Sequence, residues 1–303
     1  MCFKNLPIEF DDGGVATLRD GIPDPYAVTV SKPDAGLSND EQREQIERLV
    51  ASNGHIRETN MDPVTRVAGA IAVNIVADLE EGRYLDGIVA GSLTKTNKIG
   101  HVLGFPYPIM QRSVDGFTLG ARSVNPNVDV QLLSVNSWYD PGKERQAAEA
   151  LVDSGADVLV THMNSPAVPA VARAKGVGLI GNAVSKEAIA GDHWLGSFAE
   201  NWAPYLVQAV KQVQDGTWKP EAYYGTVKNG TIGMLPFPSS VPEDVVAKVE
   251  KAEAEMRAGR LTVFEGPLKS NDGKVVVPAG QAITQVPKLV TCCTWLVEGA
   301  KAG

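Results

Sequence analysis

Residues 98–162 read KIGHVLGFPYPIMQRSVDGFTLGARSVNPNVDVQLLSVNSWYDPGKERQAAEALVDSGADVLVTH, and they switch repeatedly between a strand period and a helix period. Residues 98–105 read as a strand, and 110–124 as a helix that ends at Asn125-Pro126. A second strand is predicted over 128–135 and a second helix over 141–154. In that helix Ala147, Ala148, Leu151 and Val152 form one apolar stripe, and Gly155 stops it. Residues 157–162 read as a third strand, 166–175 as a third helix and 177–181 as a fourth strand. Strands joined by helices of this length pair in parallel through right-handed crossovers. The stretch therefore predicts a doubly wound α/β layer.

Outward from this core the alternation changes. Downstream, 200–215 reads as a long helix, and 223–236 as a strand pair turning at Lys228-Asn229-Gly230. Next come a charged helix over 242–260, with Val245, Val246, Val249, Ala252 and Met256 on one face, and a hairpin over 264–277 turning at 270–273. Upstream, 68–77 (AGAIAVNIVA) reads as a buried strand, and Ser38 leads into a short helix over 42–51. Glycines and prolines break the rest of the first 50 residues.

Composition bounds the function. The 303 residues are 44% apolar and 21% charged, and no run of 18 apolar residues occurs, which excludes a transmembrane helix and bulk disorder. A net charge of −8 without any basic block gives nucleic acid no reason to bind. Residues 1–85 carry 15 acids and 8 bases against 21 and 20 in the remainder, so the chain reads as two pieces. Cys2, Cys292 and Cys293 read as thiols. The opening MCFKNLPIEFDDGG has neither a basic n-region nor an apolar h-region, so the sequence as written predicts a cytoplasmic chain.

The four histidines belong to no metalloprotease or zinc pattern, and there is no GxSxG or GxxxxGK[ST]. Gly176 to Gly181 spell GxGxxG, but the intervening residues are apolar and read as the strand itself. No cofactor, metal or catalytic nucleophile is expected. Ligands of open α/β sheets bind beyond the carboxyl ends of the strands, where this sequence places Phe105, Trp138, His162, Asn164, Ser165 and Asn182. Aromatic, amide and hydroxyl groups together suit a flat polar molecule, stacked on its face and hydrogen-bonded at its edge.

These residues carry a resemblance. From about 81 to 303, EGRYLDGIVAGSLTKTNKIGHVLGFP, DGFTLGARSVNP, SWYDPGKERQAAEALVDSGADVLVTH, SFAENWAPYLVQAVKQVQDGTWKP, FEGPLKSNDGKVVVPAG and WLVEG resemble the basic membrane protein family, purine-nucleoside-type solute-binding proteins of ABC importers. The resemblance implies a periplasmic-binding-protein fold of type I. Its two Rossmann-like lobes have parallel sheets and close on a nucleoside without chemistry. It implies a small-molecule ligand, an ABC permease as partner, and a periplasmic or lipid-anchored setting. Lobe two would span about 98–215, with remaining lobe-one elements in 216–303. Ser185 stands where the family often has an acid four positions after the glycine.

Residues 1–80 resemble something else. MCFKNLPIEFDDGG, DGIPDPYAV and NMDPVTRVAGAIAV are similar to the start of nickel-iron hydrogenase large subunits. That family holds its metal with two CxxC pairs, and this sequence has neither. The resemblance therefore implies no nickel here. It implies instead that the first strand and helix of lobe one are replaced, leaving that lobe incomplete and its grip on ligand weakened.

Overall fold

The computed structural model describes residues 8–10, 16–18, 75–219, 223–284 and 294–303. The expected helix over 42–51, most of the expected strand over 68–77, and Cys2, Cys292 and Cys293 lie outside the described residues. The chain divides into two compact units: residues 1–75 with 203–223, and residues 76–202 with 224–303. In the first, β1 (Ile8–Phe10) pairs antiparallel with β2 (Ala16–Leu18). The division falls within β3 (Ile75–Ala77).

The second unit begins with a helix, α1 (Leu79–Leu93), that its hydrophobic pattern does not announce. It then follows the predicted alternation: β4 (Lys98–Leu103), α2 (Pro108–Val124), β5 (Asp129–Ser134), α3 (Pro141–Asp153), β6 (Val158–Thr161), α4 (Ala167–Lys175) and β7 (Gly178–Ile180). Local chemistry sets the boundaries. Pro108 and Pro141 each open a helix, Asp140 accepts the Lys143 N–H at 3.0 Å as an N-cap, and Gly176 ends α4 at φ +69. The GxGxxG letters thus fall on a helix cap and a strand.

A short helix α5 (Glu187–Ala190) leads to β8 (Trp194–Gly196), a fifth parallel strand absent from the predicted alternation. β9 (Phe198–Glu200) and α6 (Ala203–Gln214) occupy the region expected as one helix. There Glu200 is in a strand, and its carboxylate accepts the Trp202 Nε1–H at 2.9 Å. Next come β10 (Tyr223–Gly225), β11 (Ile232–Met234), α7 (Glu243–Arg257), β12 (Leu268–Lys269), β13 (Val275–Val277) and β14 (Ala300–Ala302). The expected pair over 223–236 is corrected: both strands form, but β11 pairs antiparallel with β9, and β10 neighbours β3. Asn229 builds the turn by accepting the Thr226 and Thr231 N–H groups, while the Gly225 carbonyl accepts the Asp78 N–H. The hairpin of β12 and β13 forms as expected.

The six-stranded sheet runs β14-β5-β4-β6-β7-β8, all parallel. From β4 the chain passes through α2 to β5, then returns through α3 to β6 on the other side of β4. That reversal places α2 and α3 on opposite faces. Ile99, Leu103, Val158 and Val160 face the core that contains Phe117 of α2, while Val102 and Leu159 face Leu151 of α3. The expected α/β parallel-sheet architecture is present, and among the described residues this is the one sheet of more than two strands. Of residues 216–303, expected to supply remaining lobe-one elements, 224–303 lie in the same compact unit as 76–202, with β14 on the edge of this sheet.

Glycines set the spacing of α1 against α2. A Cβ on Gly87 would stand 2.1 Å from Phe117 O, one on Gly91 2.4 Å from Ala121 O, and one on Gly120 2.0 Å from Tyr84 O. The backbones touch, and no side chain fits between them.

Candidate functional site

The reversal of strand order between β4 and β6 is a topological switch point, where open α/β sheets leave a crevice beyond their carboxyl ends. The strand ends are adjacent there: Val102 pairs with Thr161, and the His162 N–H donates to Val102 O at 3.0 Å. On the other side, the Asn136 N–H donates to Gly104 O at 2.8 Å, and Asn136 then turns through φ +53. This turn brings Trp138 back over Gly104.

Phe105 and Trp138, both expected from the sequence, meet edge to face with ring centroids 5.1 Å apart. Tyr107, which sequence reasoning missed, stacks on Phe105 at 5.2 Å and lies 6.2 Å from Trp138. Trp138 remains 45% exposed and Tyr107 38%. The three rings thus lie together past the end of β4, and Tyr107 and Trp138 keep open surface.

The polar residues separate into two groups. His162 and Asn182, at the ends of β6 and β7, are drawn together by Arg83 of α1, a fully buried residue the sequence did not flag. Arg83 Nη1 donates to Gly181 O at 2.7 Å and to Asp86 Oδ2 at 3.0 Å. Its Nη2 donates to Thr161 O at 3.1 Å and to Asn182 Oδ1 at 2.9 Å, and stands 3.2 Å from His162 Nδ1. Asp86 is fixed in turn by the Phe198 N–H at 2.8 Å, and the guanidinium lies 5.1 Å from the Phe198 ring centroid. Burial pushes the Asp86 carboxyl up against the pull of Arg83, and it pushes the partly buried His162 ring down to about 3, with Arg83 adding to the effect. A buried ion pair adds little net stability over an apolar pair of the same size.

Ser165, Asn164 and Ser185 are placed differently. Ser165 is buried, donates to the buried Glu144 carboxylate and accepts the Ala167 N–H at 3.1 Å at the start of α4. Asn164 is exposed beside it. Ser185 is exposed and accepts the Glu187 N–H at 3.2 Å.

A cleft of about 330 Å³ lies elsewhere in this unit, against Asp78, Glu80, Glu81, Lys228 and Phe264, and none of the expected site residues lines it. There Glu80 accepts from the buried Arg112 Nε at 2.9 Å, while burial and the neighbouring Glu80 and Glu81 push Asp78 up to about 8. Among the described residues no three His, Cys, Asp or Glu side chains converge so as to hold a metal ion. No described helix is long and apolar enough to cross a membrane.

Comparison with known proteins bears on what this arrangement does. Residues 67–263 match the family of PnrA-like ABC transporter substrate-binding proteins. A purine-binding protein of Brucella abortus is 38% identical over 201 residues, covering 66% of this chain and 57% of that one. A Haloferax volcanii relative named for glucose binding in an ABC transporter is 33% identical over 186 residues, covering 61% and 48%. The chain thus spans about half the length of these curated relatives. Among solved structures, a solute-binding protein of an ABC transporter from Conexibacter woesei superposes with a TM-score of 0.55 at 27% identity, covering 62% of this chain and 63% of that one.

Proposed function

This chain belongs to the PnrA-like family of ABC transporter substrate-binding proteins, and from that premise we propose that it holds a purine nucleoside at the β4/β6 switch point. The family is one of binding proteins, so no bond is made or broken. The observation that carries the reading is the ring platform of Phe105, Tyr107 and Trp138 beside the hydrogen-bonding ends of β6 and β7. Stacking on such a platform supplies affinity for a flat base, and edge hydrogen bonds supply selectivity. The purine-binding Brucella relative supports this choice of ligand class. Delivery to an ABC permease is part of the same reading.

The test is thermal unfolding of the full chain with millimolar adenosine, guanosine, inosine, uridine or glucose. A ligand that binds only the folded state raises the midpoint by mass action. Purine nucleosides are expected to raise it, and uridine and glucose to leave it unchanged. A shift with glucose alone would move the assignment to the chemistry named for the Haloferax relative. No shift with any of them would remove the ligand-binding reading from this chain.

A further inference from the structure

Asp78 is the N-cap residue of α1, the position from which an aspartate side chain ordinarily turns back to accept an N–H of the first helical turn. Here it makes no cap hydrogen bond, and the Glu81 N–H donates instead to the Asp78 main-chain carbonyl at 3.0 Å. The residue is only 6% exposed, and its Oδ1 is sealed from solvent without a partner. A polar group buried in this way is unfavourable until something bonds to it. Asp78 lines the cleft of about 330 Å³ beside Glu81 and Phe264, and the cleft is where a partner can enter.

Three acids from one turn meet this cleft, and one of them is matched by a cation: Glu80 accepts from Arg112 Nε at 2.9 Å. Glu81 Oε2 accepts the Val227 N–H at 2.6 Å, a neutral donor. Among the described residues no cation forms an ion pair with Asp78 or Glu81, and Lys228, which also lines the cleft, is exposed. Met256, Leu261, Val263 and Phe264 supply the apolar part of the lining. Among the described residues no three acids, histidines or cysteines converge to hold a metal ion, so the positive charge that this site lacks is an organic one.

We propose that the cleft is a second binding site, separate from the β4/β6 switch point, for a small organic ammonium ion whose N–H groups go to Asp78 and Glu81 and whose carbon body lies on Met256, Leu261 and Phe264. Its volume falls at the small end of ligand pockets, which suits a short aliphatic amine. The proposal stands whether or not the switch point holds a nucleoside.

The electrostatics agree with the geometry. Burial first, then Glu80 and Glu81, push Asp78 up to about 8 against the pull of Arg112, and burial pushes Glu81 up to about 7. Without a cation beside it, Asp78 is the neutral acid near pH 7. An ammonium group favours the carboxylate, so binding drives a proton off the site. An alcohol of the same length brings no charge and has no such effect.

The experiment is titration calorimetry of the full chain near pH 7 with butylammonium chloride, repeated in buffers of different ionisation enthalpy. Butanol and potassium chloride are the uncharged and the ionic controls. Saturable butylammonium binding with release of about one proton is expected, and no binding of either control. No saturable binding overturns the proposal, and so does equal binding of butanol. Asp78→Asn keeps the shape and removes the charge of a side chain that bonds to nothing, so it should fold. Affinity should drop at least about tenfold in that variant, with most of the proton release gone. Glu81→Gln retains an acceptor for the Val227 N–H and should also bind more weakly, which gives a second reading if the first variant misfolds. Unchanged affinity in these variants takes the cation away from the two acids and overturns the proposal. Competition between butylammonium and adenosine would make the two sites one and overturn it equally.

Discussion

Trp138 lies on the α-carbon of Gly104: a Cβ at that position would come within 2.8 Å of the indole Cε3 and of Ser137 O. The ring platform therefore depends on a missing side chain at the end of β4. Gly104→Ala would push the indole and the 136–138 turn away from Phe105, at a cost of about 1–3 kcal/mol of overpacking. Because Trp138 is 45% exposed, it has room to move and the fold should survive. The expected result is near-native unfolding with purine-nucleoside binding weakened at least about tenfold, read by titration calorimetry. Unchanged affinity would take Trp138 out of the site.

The contact between α1 and α2 should tolerate nothing larger than glycine. Gly120→Ala and Gly87→Ala would each drive a methyl into a carbonyl oxygen of the facing helix, 2.0 and 2.1 Å away. Each should lose about 3 kcal/mol or more in urea unfolding, at the upper end of overpacking costs. Gly142→Ala is the contrast. Its Cβ would have 3.4 Å to its nearest neighbour in the first turn of α3, so it should be neutral or stabilise by up to about 1 kcal/mol.

Ser165 tests whether a strand-end hydroxyl serves the ligand or the fold. Its Oγ donates to the fully buried Glu144, whose other oxygen accepts the Asp140 N–H at 3.1 Å. Ser165→Ala strands one carboxylate oxygen in the interior and should cost about 1–3 kcal/mol in chemical denaturation. Ligand affinity of the folded fraction should stay the same. A drop in affinity with stability retained would reverse that assignment.

Stability should fall as pH rises past neutrality. Asp78 is raised to about 8, first by burial and then by Glu80 and Glu81, and Glu81 is raised to about 7, chiefly by burial. A carboxyl with a raised folded-state value contributes stability that is complete below its unfolded value of about 4 and is lost as pH rises through the folded value. His162 has the opposite sign. Held down to about 3, it contributes stability above its unfolded value of about 6.5 and loses it as pH falls. Above about pH 6.5 only the carboxyls act, so the melting midpoint should decline toward pH 9. Asp78→Asn removes the largest of these effects, and its midpoint should exceed that of the unaltered chain by more near pH 9 than near pH 5. An offset independent of pH would show that another group titrates.

Much of the architecture could be read before any coordinates. The alternation over 98–181 is a matter of local periodicity, proline starts and glycine stops, and each predicted strand or helix there formed within a few residues of its expected bounds. That Phe105 and Trp138 fall past strand ends was legible for a related reason, since the ends of the strands they follow could be counted. The hairpin of β12 and β13 is local in the same sense.

What escaped the sequence depends on partners far along the chain. Helix α1 is buried on nearly every side and carries Gly82, Gly87 and Gly91, so no single apolar stripe marks it. Its glycines make sense only against α2. Strands β10 and β11 carried a hairpin signal at Asn229, but their partners were chosen by Asp78 and by β9. Arg83 meets Thr161 and Asn182, 78 and 99 positions away, and nothing near it in sequence marks it as part of a site. The sequence by itself determined the alternating strands and helices of 98–181 and their parallel pairing, because those follow from periodicity and local chemistry, and its quoted stretches carried the resemblance to the family. Only the tertiary structure decided that Arg83 meets the ends of β6 and β7 and which serine is committed to the interior, because a hydrogen bond is fixed by where its partner lies in space.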